Sequence, residues 1–286
     1  MPVLSALVVD DSLTVRNHLR AAIASIMRDC HVFEAEGALE AARFLSKFVP
    51  EVLFLDLNMP HVGGMVFLDK LDRILMGRKP PIIVSISGDV SPETLAALEA
   101  RGAYDILPKP FEQTKLGMVL LRVVQMSRTR RVLIVDDSTT VRTLVKRIVQ
   151  RSRFNLTVAE AADGEEAIRL FRGVGYDIAF IDVHMPGIDG LDAAGEVLYA
   201  RNDVHVVLMS SDRDEGLRRA AAHIGVDHFL HKPFYPEAVD GILHALYGLT
   251  DSRFVMATEP ESFLDVSFEG VAFVPRSTLV DMATPL

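Results

Sequence analysis

Short apolar runs alternate with amphipathic stretches along most of this chain, and several runs end on an acid. Residues 6–9 lead straight into Asp10-Asp11, and residues 52–55 lead into Asp56. Brief apolar runs bounded by polar residues predict strands buried on both faces, as in a parallel sheet. Further strands are predicted over 32–35, 82–86 and 103–107. Between them, apolar positions near helical spacing predict helices over 15–27, 38–48, 65–75, 93–100 and 112–124. Pro92 suits the first turn of its helix, and Gly102 stops it. The same order then returns, with strands over 132–135, 156–159, 178–181, 204–209 and 228–230. The matching helices are 140–152, 165–172, 191–201, 215–223 and 236–246. Strands alternating with helices predict an α/β chain of two tandem, doubly wound (βα)5 domains with helices on both sheet faces.

The repeat is nearly in register. Asp10, Asp11, Ser12, Thr14, Val15 and Arg16 recur 126 positions later as Asp136, Asp137, Ser138, Thr140, Val141 and Arg142. Asp56 recurs as Asp182 at the same offset. The offset then falls to 123, so that Ser87 matches Ser210 and Lys109-Pro110-Phe111 matches Lys232-Pro233-Phe234. The three extra residues of the first copy are expected in a loop at Met76-Gly77-Arg78-Lys79, since loops tolerate insertion. The domains are read as 1–126 and 130–249, with 250–286 as a C-terminal extension. A short hairpin through Phe263–Phe273 or a loose strap is expected there. The junction between the copies holds Arg128, Arg130 and Arg131 and reads as a solvated basic segment.

In doubly wound sheets, ligands gather beyond the carboxyl ends of the strands. Asp10, Asp11, Asp56, Ser87 and Lys109 all fall just past different predicted strand ends. Three adjoining carboxylates repel one another unless a divalent cation joins them, and hard oxygen ligands suit Mg2+. The central carboxylate, Asp56, is a candidate nucleophile toward phosphorus. Lys109 offers a cation and Ser87 a hydroxyl to phosphoryl oxygens, and the backbone carbonyl of Asn58 is a candidate metal ligand. Asp136, Asp137, Asp182, His184, Ser210 and Lys232 repeat these assignments.

On these residues each half resembles the response-regulator receiver domain of two-component signalling, a flavodoxin-like fold. The matching pieces are Asp10-Asp11-Ser12, Asp56-Leu57-Asn58-Met59-Pro60 with Gly64, Ser87-Gly88 and Lys109-Pro110-Phe111. In the second half they are Asp136-Asp137-Ser138, Asp182-Val183-His184-Met185-Pro186 with Gly190, Ser210-Ser211 and Lys232-Pro233-Phe234. The resemblance implies phosphotransfer from a phosphohistidine, on a histidine kinase or phosphotransfer protein, to Asp56 and Asp182. It implies one Mg2+ per domain, with Mn2+ as a substitute, and slow self-catalysed hydrolysis. It also implies a signalling surface on the fourth helix, fifth strand and fifth helix of each domain. The switch position three residues before the lysine holds Phe229 in the second copy but Ile106 in the first. Asn58 and Asp89, matched by His184 and Asp212, are candidates for setting different phosphoryl lifetimes.

A formal charge of -9 argues against nonspecific nucleic-acid binding, and the single Cys30 excludes an internal disulfide. No run approaches the ~20 apolar residues of a membrane span, so the cytoplasm is the expected location. His223, His228 and His231 straddle a helix end and a strand and read as surface or packing residues. No separate catalytic domain is read. A double receiver signalling through phosphorylation-dependent contacts with a downstream protein, or through a homodimer, is the leading reading. The alternatives are a phosphate sink or relay intermediate, and the regulatory part of a nucleotide-cyclase-type regulator. An unrelated aspartyl phosphohydrolase would need a second acid where Asn58 and His184 stand.

Overall fold

In the first domain, β1 (Leu4–Val9), β3 (Val52–Asp56) and β4 (Ile82–Ser87) are buried at every position. β2 (Cys30–Ala35) alternates between exposed and covered residues, as suits a strand at the sheet's edge. With β5 (Asp105–Pro108) they form a parallel sheet ordered β2-β1-β3-β4-β5. The computed structural model describes residues 4–201, 203–212, 214–226, 228–249 and 252–254, so the Phe263–Phe273 hairpin lies outside the described residues. The second sheet comprises β6 (Arg130–Val135), β7 (Leu156–Ala161), β8 (Ile178–Asp182), β9 (His205–Ser210) and β10 (His228–His231). Its order is β7-β6-β8-β9-β10, the same topology.

Helices cover both faces. In the first domain these are α1 (Leu13–Ile26), α2 (Ala38–Lys47), α3 (Gly64–Leu68), α4 (Leu71–Leu75), α5 (Pro92–Glu99) and α6 (Gln113–Ser127). In the second they are α7 (Thr139–Arg151), α8 (Gly164–Gly173), α9 (Gly190–Ala200), α10 (Glu215–Ile224) and α11 (Pro236–Leu246). The repeated serines start equivalent helices: Ser12 Oγ accepts from Val15 N and Ser138 Oγ from Val141 N, each at 3.4 Å. The single helix expected over 65–75 is divided into α3 and α4. The helical ladder breaks where Lys70 N–H donates to Phe67 O, three residues back, at 3.0 Å. Two left-handed residues then follow, Met76 (φ 53°) and Gly77 (φ 80°), and turn the chain into the insertion.

That insertion ties the domains together. Arg78 donates to Leu45 O and Ser46 O at the end of α2, while Lys79 Nζ reaches Phe154 O of the second domain at 2.6 Å. One apolar cluster runs from β1 and α6 through Met126, Tyr104 and Phe154 to α11. At the junction Arg128 and Arg131 are exposed as expected, but Arg130 is buried. Its guanidinium donates to Gln125 O and to Arg128 O, and stacks 3.7 Å from the Tyr247 ring centroid. A planar cation over an aromatic face keeps favourable contacts while losing water. After α11 the chain crosses back to the first domain: Ser252 Oγ donates to Tyr104 O at 2.8 Å, and Phe254 packs against the first domain's core.

Candidate functional site

Asp10 and Asp11 follow β1, Asp56 ends β3, and the two strands are neighbours where the strand order reverses. One oxygen from each of the three carboxylates lies within 4.8 Å of the others, and Asp136, Asp137 and Asp182 repeat the cluster. In both, the first and third acids are buried and the middle one is exposed.

Like charges this close need a cation. Lys109 Nζ lies 2.9 Å from Asp10 Oδ2 and 3.0 Å from Asp56 Oδ2. Lys232 Nζ lies 2.8 Å from Asp136 Oδ2 and 2.9 Å from Asp182 Oδ1. Burial pulls each ammonium's pKa down, but its carboxylate partners outweigh that, and both lysines are held above their ordinary value. Desolvation pushes the Asp182 carboxyl up, with repulsion from Asp136 and Asp137 adding to it and Lys232 opposing it. One ammonium leaves each three-acid cluster with surplus negative charge on hard oxygens, one of them open to solvent. That donor set fits a hard divalent cation.

The surrounding residues fix the cluster. Ser12 N–H donates to Asp10 Oδ1 at 2.9 Å, as Ser138 N–H does to Asp136 Oδ1. Arg16 donates to the carbonyls of Asp10 and Asp11 at 2.7 and 3.3 Å, and Arg142 to those of Asp136 and Asp137 at 2.7 and 3.2 Å. Sequence reasoning gave these arginines no role, although their recurrence within the repeat was a usable signal. Ser87 and Ser210 end β4 and β9 and are buried. Each hydroxyl accepts a backbone N–H at 3.0 Å, from Asp89 and Asp212, which leaves its own proton to donate elsewhere. The Lys109-Pro110 and Lys232-Pro233 peptide bonds are both cis. Asn58 N–H donates to Asp56 Oδ1 at 3.3 Å. Ile106 and Phe229 are buried in β5 and β10.

The rims differ between the copies. Asp89 turns to the start of α5, accepting from Thr94 Oγ1 at 2.7 Å and Ser91 N at 2.9 Å, and these bonds hold its carboxyl below the usual range. Asp212 instead pairs with His184, Nε2 to Oδ2 at 2.7 Å, with both side chains more than half exposed. The His184 ring is not part of the acid cluster.

The family model for the response regulator receiver domain matches residues 6–120 and again 132–244. The chain belongs to this family. It is a tandem pair of receiver domains with the parallel α/β fold that the apolar pattern predicts. It is 36% identical over 116 residues to the chemotaxis protein CheY of Listeria monocytogenes, covering 41% of this chain and 94% of that one. It is 38% identical over 128 residues to a protein-glutamate methylesterase/protein-glutamine glutaminase of Rhizobium johnstonii, covering 44% of this chain but only 36% of that protein. Among solved structures, that of a probable two-component system response regulator/GGDEF domain protein matches at 26% identity with a TM-score of 0.55, covering 85% of this chain and 99% of that one. Receivers in two-component systems take phosphoryl groups from histidine kinases or phosphotransfer proteins and generally bind Mg2+. No helix among the described residues is long and apolar enough to cross a membrane.

Proposed function

We propose that this tandem receiver accepts phosphoryl groups from a phosphohistidine onto Asp56 and Asp182 and signals through contacts that depend on those modifications. The observation that carries the reading is a buried carboxylate held between a second buried acid and a lysine, with a third acid open to solvent, built twice. An Asp56 or Asp182 oxygen attacks phosphorus; the new P–O bond forms as the P–N bond breaks, and its electron pair returns to the imidazole. Lys109 or Lys232 stays within reach of the acceptor carboxylate and pairs with a phosphoryl oxygen. Ser87 or Ser210 donates its hydroxyl proton to another. Water later attacks phosphorus, releasing phosphate and restoring the carboxylate, so the chain's own chemistry is self-catalysed transfer and hydrolysis. Bound Mg2+ supplies charge stabilisation on the phosphoryl oxygens. Asp10, Asp11 and Asp56 with the Asn58 carbonyl would hold it in the first receiver, and Asp136, Asp137 and Asp182 with the His184 carbonyl in the second. Asn58 and Asp89 on one rim, and His184 paired to Asp212 on the other, set different lifetimes.

A second reading, regulation of an attached GGDEF-type domain, is favoured by the likeness to the response regulator/GGDEF protein across both receivers. The central test is intact-mass analysis after exposure to a small phosphodonor with Mg2+. Two added phosphoryl groups are expected in the native chain and one each in Asp56→Asn and Asp182→Asn. No added group, under conditions that label another receiver, would refute the reading.

A further inference from the structure

The two last helices, α6 and α11, occupy equivalent places in their receivers but meet different surroundings. Under the 123-residue offset, Gly117, Met118 and Leu121 of α6 match Asp240, Gly241 and His244 of α11. Met118 and Leu121 are 44% and 62% exposed, whereas Asp240, Gly241 and His244 are all buried. His244 is covered completely.

The cover is shared between the second receiver's own Arg153 and Phe154 and the base of the first receiver, which brings Tyr104 and Lys79. The His244 ring lies 5.8 Å from that of Tyr104 and 5.0 Å from that of Phe154. Asp240 accepts from the Arg153 backbone at 3.1 Å and from its guanidinium at 3.0 Å, and that guanidinium sits 6.0 Å from the Tyr104 ring centroid. Lys79 closes one side through Phe154 O, and Ser252 closes another through Tyr104 O. Tyr104 itself precedes β5, at the end of the first sheet opposite Asp56. It is fully buried, with the His244 ring and the Arg153 guanidinium of the second receiver set against its ring.

The α11 helix also begins at the second pocket. Lys232, which holds Asp136 and Asp182, is followed by Pro233, Phe234 and Tyr235, and α11 starts at Pro236. A displacement of Lys232 toward a phosphoryl group therefore acts on the start of a helix whose outer face is already committed.

We propose that the base of the first receiver is the built-in partner of α11, so that modification of Asp182 is read by the first receiver within the same chain. The equivalent α6 face has no such cover among the described residues. The two pockets are therefore not interchangeable: the second acts inward, through His244 and Tyr104, and the first faces outward. This rests on the phosphoacceptor reading above. A coupling between two sites requires an element that answers to both, and α11 follows directly on the Lys232 segment and meets Tyr104 through His244.

The test is hydrogen exchange by mass spectrometry on the full chain carrying Asp56→Asn, with and without a small phosphodonor and Mg2+, with intact mass read on the same samples. Peptides covering Lys79–Ile83 and Ala103–Ile106 report on the base, because Tyr104 N–H is bonded to Ile83 O at 2.7 Å. Labelling of Asp182 should change their exchange about fivefold, the lower end of ordinary coupling between sites. The change should be lost in His244→Leu, which installs the residue found on α6. It should also be lost in Lys79→Met, which keeps the stem and removes only the bond to Phe154 O. A labelled Asp182 with unchanged exchange at the base would overturn the inference and leave the phosphoacceptor reading intact. Absence of the label would overturn both.

Discussion

Replacing Gly190 by alanine should damage the second receiver more than its size suggests. A Cβ at Gly190 would lie 1.9 Å from the Asp182 carbonyl oxygen and 2.7 Å from Val183 Cα. Both are backbone atoms, and ordinary contact begins only at 3.4 Å. No side chain can rotate away to relieve the overlap. The loop is also pinned, since Gly190 N–H donates to Val183 O at 2.9 Å and Val183 N–H to Met209 O at 2.9 Å. The cost should be about 3 kcal/mol, the upper part of the range for overpacking. Gly64→Ala meets Asp56 O at 2.4 Å and should cost less, about 2 kcal/mol. Gly195→Ala lies in the middle of α9 with nothing within 4 Å of its Cβ, and should gain roughly 0.5–1 kcal/mol from helix propensity. Urea unfolding followed by far-UV circular dichroism, compared at constant m-value, measures all three. The displaced carbonyl belongs to Asp182, so phosphodonor labelling at Asp182 should fall while labelling at Asp56 serves as the internal reference. A Gly190→Ala protein as stable as Gly195→Ala, or more stable than Gly64→Ala, would refute the reasoning.

Lys232→Met removes the cation that lowers the Asp182 pKa, so that pKa should rise further and the acidic limb of labelling at Asp182 should move to higher pH; a profile identical to the native chain would contradict the role assigned to Lys232. Burial holds the His244 pKa below its free value of 6.5, with Arg153 and Arg122 pushing the same way and its bond to Asp240 O opposing. The unfolded chain therefore binds the proton first, and this residue costs stability as pH falls below 6.5, by at most about 1.4 kcal/mol per pH unit; stability curves from pH 7.5 to 5 should flatten in His244→Leu. Burial raises the Cys30 thiol to about 11, with Glu51 adding to the shift. At pH 8 it should react with an alkylating reagent about a hundredfold more slowly than a free thiol, and complete labelling at the free-thiol rate would show the residue to be more open than the structure has it.

Several features were unreadable one element at a time. The break between α3 and α4 hangs on a single three-residue hydrogen bond at Lys70, which leaves the apolar spacing untouched. Arg130 looks like its solvated neighbours in sequence, yet Tyr247, far along the chain, stacks on its guanidinium and it is buried. The rim partners split for the same reason. Asp89 and Asp212 occupy matching positions, but Thr94 is near one and His184 near the other. Arg16 and Arg142 clamp the acid loops through backbone carbonyls, a contact that leaves no pattern of complementary side chains to read.

The apolar pattern and the repeated motifs carry the two sheets, the order of their elements and the residues gathered at each pocket. Those follow from local rules: apolar runs become buried strands, and a parallel sheet brings successive strand ends to one edge. How the copies meet is set by contacts between segments far apart in the chain. Which face of α11 is covered, where Lys79 reaches and why Ser252 returns to Tyr104 depend on residues up to 148 positions apart. Burial at an interface is a property of the surface that arrives there, and periodicity within one helix carries no record of it.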